Sequence, residues 1–170
     1  TRATLHLVRG RTHDSWRDRY RVCLSAGHAS GLWYAMLRLD GCLTIDDLKE
    51  CRQGGGRTPG DPEHGETPGV EASTGPLGAG FSMAVGMATS ERMLAELFNT
   101  PKFDIIDHYT YVLTGDGCQM EGVVYEAGSL AGHLGLGKMI VIYDANNITI
   151  EGNTSLAFTE NVAERYRAME

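Results

Sequence analysis

Two short apolar runs with a helical stretch between them constrain the fold of this chain most strongly. Residues 109–114 form the first run and residues 139–143 the second, and each has the composition of a buried strand. The intervening residues 121–133 have helical character, so the order is strand, helix, strand. Such a unit places its two strands parallel in one sheet, with both carboxyl ends at the same edge. The sequence therefore predicts an α/β fold with a mainly parallel sheet flanked by helices.

Asp116 and Asn146 follow these two strands and are therefore expected at the same edge of the sheet. Open α/β sheets bind their ligands at that edge. A carboxylate oxygen and an amide oxygen are ligands that suit a hard divalent cation, and glycines around Asp116 let a diphosphate approach the backbone. The sequence thus predicts a metal and diphosphate site. Taken alone, Asp116 could be a turn residue after a strand, and Asn147 could serve in place of Asn146.

Five sequence blocks extend this pattern. A Gly-Asp-Gly word followed by 28 residues and an asparagine is typical of thiamine-diphosphate enzymes. In order along the chain, the blocks are Ser25-Ala26-Gly27-His28-Ala29, Ser73-Thr74-Gly75-Pro76-Leu77-Gly78, Asp107-His108-Tyr109-Thr110-Tyr111, Gly115-Asp116-Gly117-Cys118 and Ser129-Leu130-Ala131-Gly132. Together they resemble the amino-terminal domain of transketolase over residues 16–170.

This resemblance implies the domain organisation. It indicates the three-layer thiamine-diphosphate-binding fold, incomplete at both ends, with residues 16–170 as a partial cofactor and metal domain. Residues 1–15 are left as an unassigned amino-terminal segment. An upstream glycine-histidine motif of the family is missing here.

The resemblance also implies cofactors and the residues that hold them. The expected cofactors are thiamine diphosphate and Mg²⁺, or Ca²⁺ or another divalent cation. The expected metal ligands are Asp116, Asn146 and the carbonyl of Ile148. The expected cofactor-binding residues are His28, Gly75, Pro76, Leu77, Asp116, Gly117, Glu121 and Asn146.

The implied reaction is the transfer of a two-carbon ketol group from a ketose phosphate to an aldose phosphate. His28 is the expected catalytic acid–base group, because imidazole titrates near neutrality; a histidine before a helix can also be a cap or a core hydrogen bonder. Glu121 and Glu126 match a carboxylate cluster near the dimer interface of the family, although both can be ordinary helix-surface charges. Cys118 lies beside Asp116, but nothing in the sequence supplies it with a base, so we do not expect a nucleophile.

Two departures from the family affect function. Asp61 stands where the family has a histidine that touches the donor sugar, so we expect altered donor preference or lower activity unless His64 substitutes. The pyrimidine-binding domain, which the family takes from the partner subunit of a homodimer, is not present in these 170 residues. We therefore expect the isolated chain to be inactive. A split subunit of another thiamine-diphosphate enzyme and a non-catalytic remnant are the alternative interpretations.

Composition excludes several other classes of function. The net charge of −7 argues against a nucleic-acid partner, and no apolar run approaches the ~20 residues of a membrane span. Residues 1–11 lack the apolar segment of a secretory signal. Four cysteines without metal-site spacing favour reduced thiols. A cytoplasmic location is therefore expected.

Apolar periodicity and end signals predict the remaining elements. Further helices are expected over residues 29–39, 45–53, 78–98 and 161–169, the second of them with a capping box from Thr44 to Asp47. Residues 54–76 hold most of the prolines and are expected to form a binding loop. The small residues of helix 78–98 predict close approach of another backbone, within the domain or across a subunit interface.

Overall fold

The computed structural model describes residues 16–169. It contains a parallel three-stranded sheet in the order β1–β2–β3, formed by Arg21–Leu24, Thr110–Gly115 and Met139–Asp144. Leu24 pairs with Leu113 and Gly115 pairs with Asp144, so the strands end at one edge. The prediction that the two motif strands are parallel neighbours is confirmed, whereas β1 was not predicted from the sequence. The unassigned segment 1–15 lies outside the described residues.

Helices cover both faces of this sheet. They are α1 (Ser30–Asp40), α2 (Ile45–Lys49), α3 (Ala79–Phe98), α4 (Asp116–Gln119), α5 (Gly122–His133) and α6 (Val162–Arg167). The remaining elements are a short hairpin of β4 (Ile148–Thr149) and β5 (Gly152–Asn153), and 3₁₀ turns at Gly27–Ala29 and Thr154–Leu156. None of the helices within residues 16–169 combines the length and the apolar character that a membrane crossing requires.

Most predicted helix ends agree with the structure to within a residue or two. α1 ends at Asp40 with Gly41 as its C-cap, and α2 begins with the predicted capping box between Thr44 and Asp47. The prediction that α2 continues to about Gln53 is wrong, since it ends at Lys49. The reason is local: Arg52 adopts a φ of 66°, and its N–H donates to Thr58 O at 2.9 Å instead of continuing the helix.

The alternation of side chains along β1 creates two cores and hence three layers. Val22 and Leu24 pack with α1 residues such as Trp33 on one face. Cys23 packs on the other face with α3 and α5 residues, among them Phe81 and Val124. The predicted three-layer α/β architecture is confirmed.

The irregular segment 54–76 is fixed by side chains that bond its backbone. Tyr34 Oη donates to Pro59 O at 2.8 Å, and Ser30 Oγ donates to Gly60 O at 2.6 Å. Both donors lie on α1 and are fully buried. This segment is therefore held against the carboxyl edge of the sheet, where it brings residue 61 beside the turn that follows β1.

Candidate cofactor and metal site

Asp116 lies at the carboxyl edge of the sheet, where β2 ends and α4 begins. Its side chain is buried, at 4 % exposure. One carboxylate oxygen accepts a hydrogen bond from Tyr143 Oη of β3, and the other accepts from the Asn147 N–H at 2.6 Å. The segment after β3 therefore meets the segment after β2 at one place, as the spacing of Asp116 and Asn146 predicts.

Asn146 is exposed and ordered by its neighbours. Its Oδ1 accepts from the Ile148 N–H at 3.0 Å, and its Nδ2 donates to Asp144 Oδ2 at 3.1 Å. An amide oxygen has two lone pairs, so one remains for a cation. Ile148 opens β4, which contacts α4, the helix that begins at Asp116.

The donor set here is sparse. No group of three His, Cys, Asp or Glu side chains that could hold a metal ion occurs within residues 16–169. The predicted ligands at this edge are one carboxylate from Asp116, one amide oxygen from Asn146 and the backbone carbonyl of Ile148. Mg²⁺ commonly takes one or two carboxylates and completes its octahedron with water and ligand phosphates. The set therefore fits a cation that arrives together with a diphosphate.

Glycines line the next part of the edge. A Cβ atom at Gly27 would lie 2.7 Å from Asp61 Oδ1 and 3.1 Å from Gly75 N. The turn after β1 and the loop before α3 are thus in direct contact, and Asp61 lies against both. Since any side chain at residue 27 would fill this space, the glycine is required by close approach.

Leu77 joins this wall to Asp116. A Cβ atom at Gly117 would lie 3.1 Å from Leu77 Cδ1, so the leucine packs against the backbone of α4. Pro76 is exposed and Leu77 half-buried. The structure therefore brings Gly75, Pro76 and Leu77 together with Gly117, as one continuous surface.

Two buried hydroxyls beside this surface have no hydrogen-bond partner among the residues that the structure describes. They are Ser25 Oγ and Thr74 Oγ1, within two residues of Gly27 and immediately before Gly75. An unpartnered buried hydroxyl costs about 1–3 kcal/mol, which a water or a ligand oxygen would recover. These orphan groups and the glycine-lined cradle fit an oxygen-rich ligand.

His28 lies in the 3₁₀ turn after β1, at the same edge. It is exposed, and its carbonyl accepts a hydrogen bond from Arg52 Nη2 at 3.4 Å. His64 is exposed and its Nδ1 is 2.8 Å from Val70 O, which leaves Nε2 available, so substitution of His64 for the family histidine stays a prediction. The carboxylate of Asp61 lies at this part of the edge, against Gly27 and Gly75.

The two glutamates occupy different positions on α5. Glu121 is the exposed N-cap of the helix rather than its first residue, and its Cβ would lie 3.2 Å from a Cβ at Gly78. Glu126 is also exposed. Cys118 is fully buried, which agrees with its exclusion as a nucleophile.

Tyr143 is a site residue that the sequence pattern did not reveal. Burial, followed by the hydrogen bond to Asp116, raises the pKa of its phenol, so the phenol stays protonated and donates. Gln119, at the end of α4, is a second missed residue and is fully buried. The only sequence signal for Tyr143 and Gln119 was their position, because each lies within three residues of a motif residue, at a strand end or in the same turn.

Comparison with known proteins agrees with this geometry. Residues 4–170 match the family described as "Transketolase, thiamine diphosphate binding domain", so the match begins upstream of residue 16. Transketolase from Geobacillus stearothermophilus is 57 % identical over 157 residues, which are 92 % of this chain and 24 % of that protein. The chloroplastic transketolase of Zea mays is 57 % identical over 156 residues, covering 91 % and 23 %.

Solved structures give the same result. Transketolase from Leishmania mexicana matches with a TM-score of 0.92 and 54 % identity, over 97 % of this chain and 25 % of that one. A Pichia stipitis transketolase in complex with sedoheptulose-7-phosphate matches with a TM-score of 0.94 and 48 % identity, over 99 % and 25 %. The chain thus spans about a quarter of the length of these relatives, and it belongs to the transketolase family, within the thiamine-diphosphate-binding domain.

Proposed function

We propose that this chain supplies the diphosphate and metal half-site of a transketolase-type enzyme. The complete enzyme would transfer a two-carbon ketol group from a ketose phosphate to an aldose phosphate. The observation that carries the proposal is the meeting of Asp116 with the backbone of Asn147 at one sheet edge. A carboxylate next to an asparagine loop and a glycine-lined cradle is suited to a cation with a diphosphate.

Each residue of the site has a distinct proposed role. Asp116, Asn146 and the Ile148 carbonyl hold Mg²⁺, or Ca²⁺ or another divalent cation. Gly117 lets the diphosphate approach the α4 backbone. When bound, thiamine diphosphate supplies the nucleophilic carbon for cleavage and formation of the carbon–carbon bond.

The remaining residues shape the site around the reacting atoms. Gly75, Pro76 and Leu77 form an apolar wall that excludes water from the cofactor. His28, exposed at the edge, exchanges a proton with a sugar hydroxyl or carbonyl oxygen. Glu121, which borders Gly78 at the start of α3, belongs to the cofactor end of the interface between subunits.

The partners of the complete protein follow from the same proposal. They are sugar phosphates, a second subunit in a homodimer, and the pyrimidine-binding domain of that subunit. The Pichia stipitis relative in complex with a seven-carbon sugar phosphate supports the substrate class. A cytoplasmic location remains a prediction, supported by free thiols at all four cysteines.

Calorimetric titration of the chain with thiamine diphosphate tests the half-site. We expect heat of binding in Mg²⁺ and none in excess EDTA, and thiamine without phosphates should not bind. Asp116→Asn keeps the side-chain shape and should weaken metal-dependent binding by at least ~10-fold, because a ligand that carries charge is lost.

Asp104→Asn is the matched control, because Asp104 is exposed and is none of the residues proposed to bind the cofactor or the metal. It should bind like the unaltered chain. Binding that is indifferent to Mg²⁺, or to Asp116→Asn, would contradict the proposed site.

A further inference from the structure

Gln119 joins the metal-bearing turn to the last helix of the chain. Its Oε1 accepts from Arg165 Nη2 at 2.6 Å and from Tyr166 Oη at 2.8 Å, and its Nε2 donates to Thr114 Oγ1 at 3.1 Å. Its backbone carbonyl, at the end of α4, accepts from Arg165 Nη1 at 3.0 Å. A fully buried amide with this many partners is fixed in one orientation.

Arg165 is itself held from two other directions. It forms an ion pair with Glu160 at 2.6 Å, and its guanidinium lies 3.9 Å from the centre of the Tyr125 ring. Tyr125 Oη also donates to Glu160 at 2.6 Å. The arginine side chain is only 10 % exposed, so the orientation of its guanidinium group is fixed by these contacts independently of Gln119.

The contacts close a ring that contains the predicted metal ligand. Gln119 bonds Thr114 on β2, and Thr114 is in register with Tyr143 on β3. Tyr143 donates to Asp116, which lies in the same helical turn as Gln119. The position of Asp116 is therefore fixed in two ways. Tyr143 bonds its carboxylate, and Gln119 holds the last residue of the helical turn that Asp116 begins.

Gln119 uses its polar side-chain atoms in these contacts, so its action on a ligand must be indirect. We propose that Gln119, clamped by Arg165, is a positioning residue that fixes the α4 turn and thereby the Asp116 carboxylate for a divalent cation. This inference rests on the proposed function of Asp116. Removal of a residue that hydrogen-bonds or orients a metal ligand typically lowers metal affinity by about 10–100-fold.

A role in packing alone makes a different prediction. Loss of buried hydrogen bonds would lower the melting temperature, but the folded fraction would bind metal and cofactor as before. Positioning requires that affinity falls even where the protein is fully folded. The informative measurement is therefore affinity at a temperature well below the unfolding transition of each variant.

The experiment compares three variants of the full chain by calorimetric titration with thiamine diphosphate in Mg²⁺. Gln119→Leu removes every side-chain hydrogen bond at similar size, and should weaken binding about 10-fold. Gln119→Glu keeps the acceptors for Arg165 and Tyr166 and should retain most of the affinity. Arg167→Leu is the control, because Arg167 lies on the same helix, is 65 % exposed and forms its ion pair with Glu164 of that helix.

The outcomes separate the two proposals. Absence of Mg²⁺-dependent binding by the unaltered chain overturns the proposed function, and the positioning role with it. Binding by the unaltered chain together with equal affinity in folded Gln119→Leu overturns positioning alone, as does an equal loss in Arg167→Leu. If Gln119→Leu does not fold, Arg165→Lys removes the two-pronged contact more gently and is expected to weaken binding several-fold; unchanged affinity there would overturn the inference.

Discussion

Asp61 is the residue whose placement most affects the chemistry of the site. Its carboxylate is half-buried against Gly27 and Gly75, and it accepts no hydrogen bond from any group within residues 16–169. A diphosphate bound in the same cradle would bring like charges together. At about 4 Å, such a pair costs ~1 kcal/mol in bulk water and more in a drier setting.

Asp61→His should therefore tighten the binding of thiamine diphosphate about 5-fold or more at low ionic strength, because repulsion is removed. The gain should shrink as salt is added, since screening weakens the interaction between partly exposed charges. Titration at two salt concentrations measures both effects, with Asp104→Asn as the control for loss of a remote charge. In the complete enzyme, donor kinetics that do not change on Asp61→His would contradict a role in donor selection.

Among single residues, the sequence predicted those that are marked by their neighbours in the chain. It did not predict those whose role depends on tertiary contacts. Asp116 is recognisable because glycines flank it and an apolar strand precedes it. Tyr143 and Gln119 are ordinary polar residues of a strand end and a turn. Their contacts depend on strand register and on the approach of α6, neither of which is visible in local pattern.

Among the elements, α3 shows most clearly how the fold is held together. The predicted close approach of its small residues is realised within the domain, where Gly80 meets the end of β1. A Cβ at Gly80 would lie 2.7 Å from both Leu24 O and Ser25 Cα. Backbone atoms at the end of a sheet strand cannot easily shift, so the small residue sets the distance between helix and sheet.

Gly80→Ala should lower the free energy of unfolding by about 1–3 kcal/mol through overpacking, despite the higher helix propensity of alanine. Gly86→Ala is a matched control on the same helix, because within residues 16–169 no atom beyond the adjacent residues and the backbone of the same helix lies within 4 Å of the added Cβ. That variant should gain about 0.5–1 kcal/mol. Urea unfolding measures both, and a stabilised Gly80→Ala would show that β1 and α3 are not packed as described.

Element predictions succeeded where periodicity was long and failed where elements were short. The 20-residue α3 and the 12-residue α5 were located almost to the residue. β1 has four residues and α4 has four, too few for a period to appear. β1 follows Tyr20 and begins with Arg21, and the polar groups of these residues obscure the apolar pattern expected of a strand. Pairing with β2, a tertiary contact, stabilises this segment as a strand.

For the whole molecule, the decisive fact is that the chain spans about a quarter of its transketolase relatives. The described edge holds the proposed metal ligands and the glycine-lined cradle that we propose for the diphosphate. The family resemblance assigns the pyrimidine-binding domain to the partner subunit, outside these 170 residues. Binding of the diphosphate and turnover are therefore separable properties, which can be measured on different molecules.

We predict that the isolated chain binds thiamine diphosphate with Mg²⁺ but shows no ketol transfer, because these 170 residues span about a quarter of the relatives' length and the family resemblance places the pyrimidine-binding domain outside them. Exchange of residues 16–169 into the Geobacillus stearothermophilus transketolase, which is 57 % identical in this region, should restore turnover. The same exchange carrying Asp116→Asn should abolish it, which separates loss of the metal site from misfolding of the chimera. Turnover by the purified chain alone would contradict the prediction that binding and turnover are separable. A folded, dimeric chimera without activity would contradict the proposed half-site, because the exchanged residues would then not support the reaction.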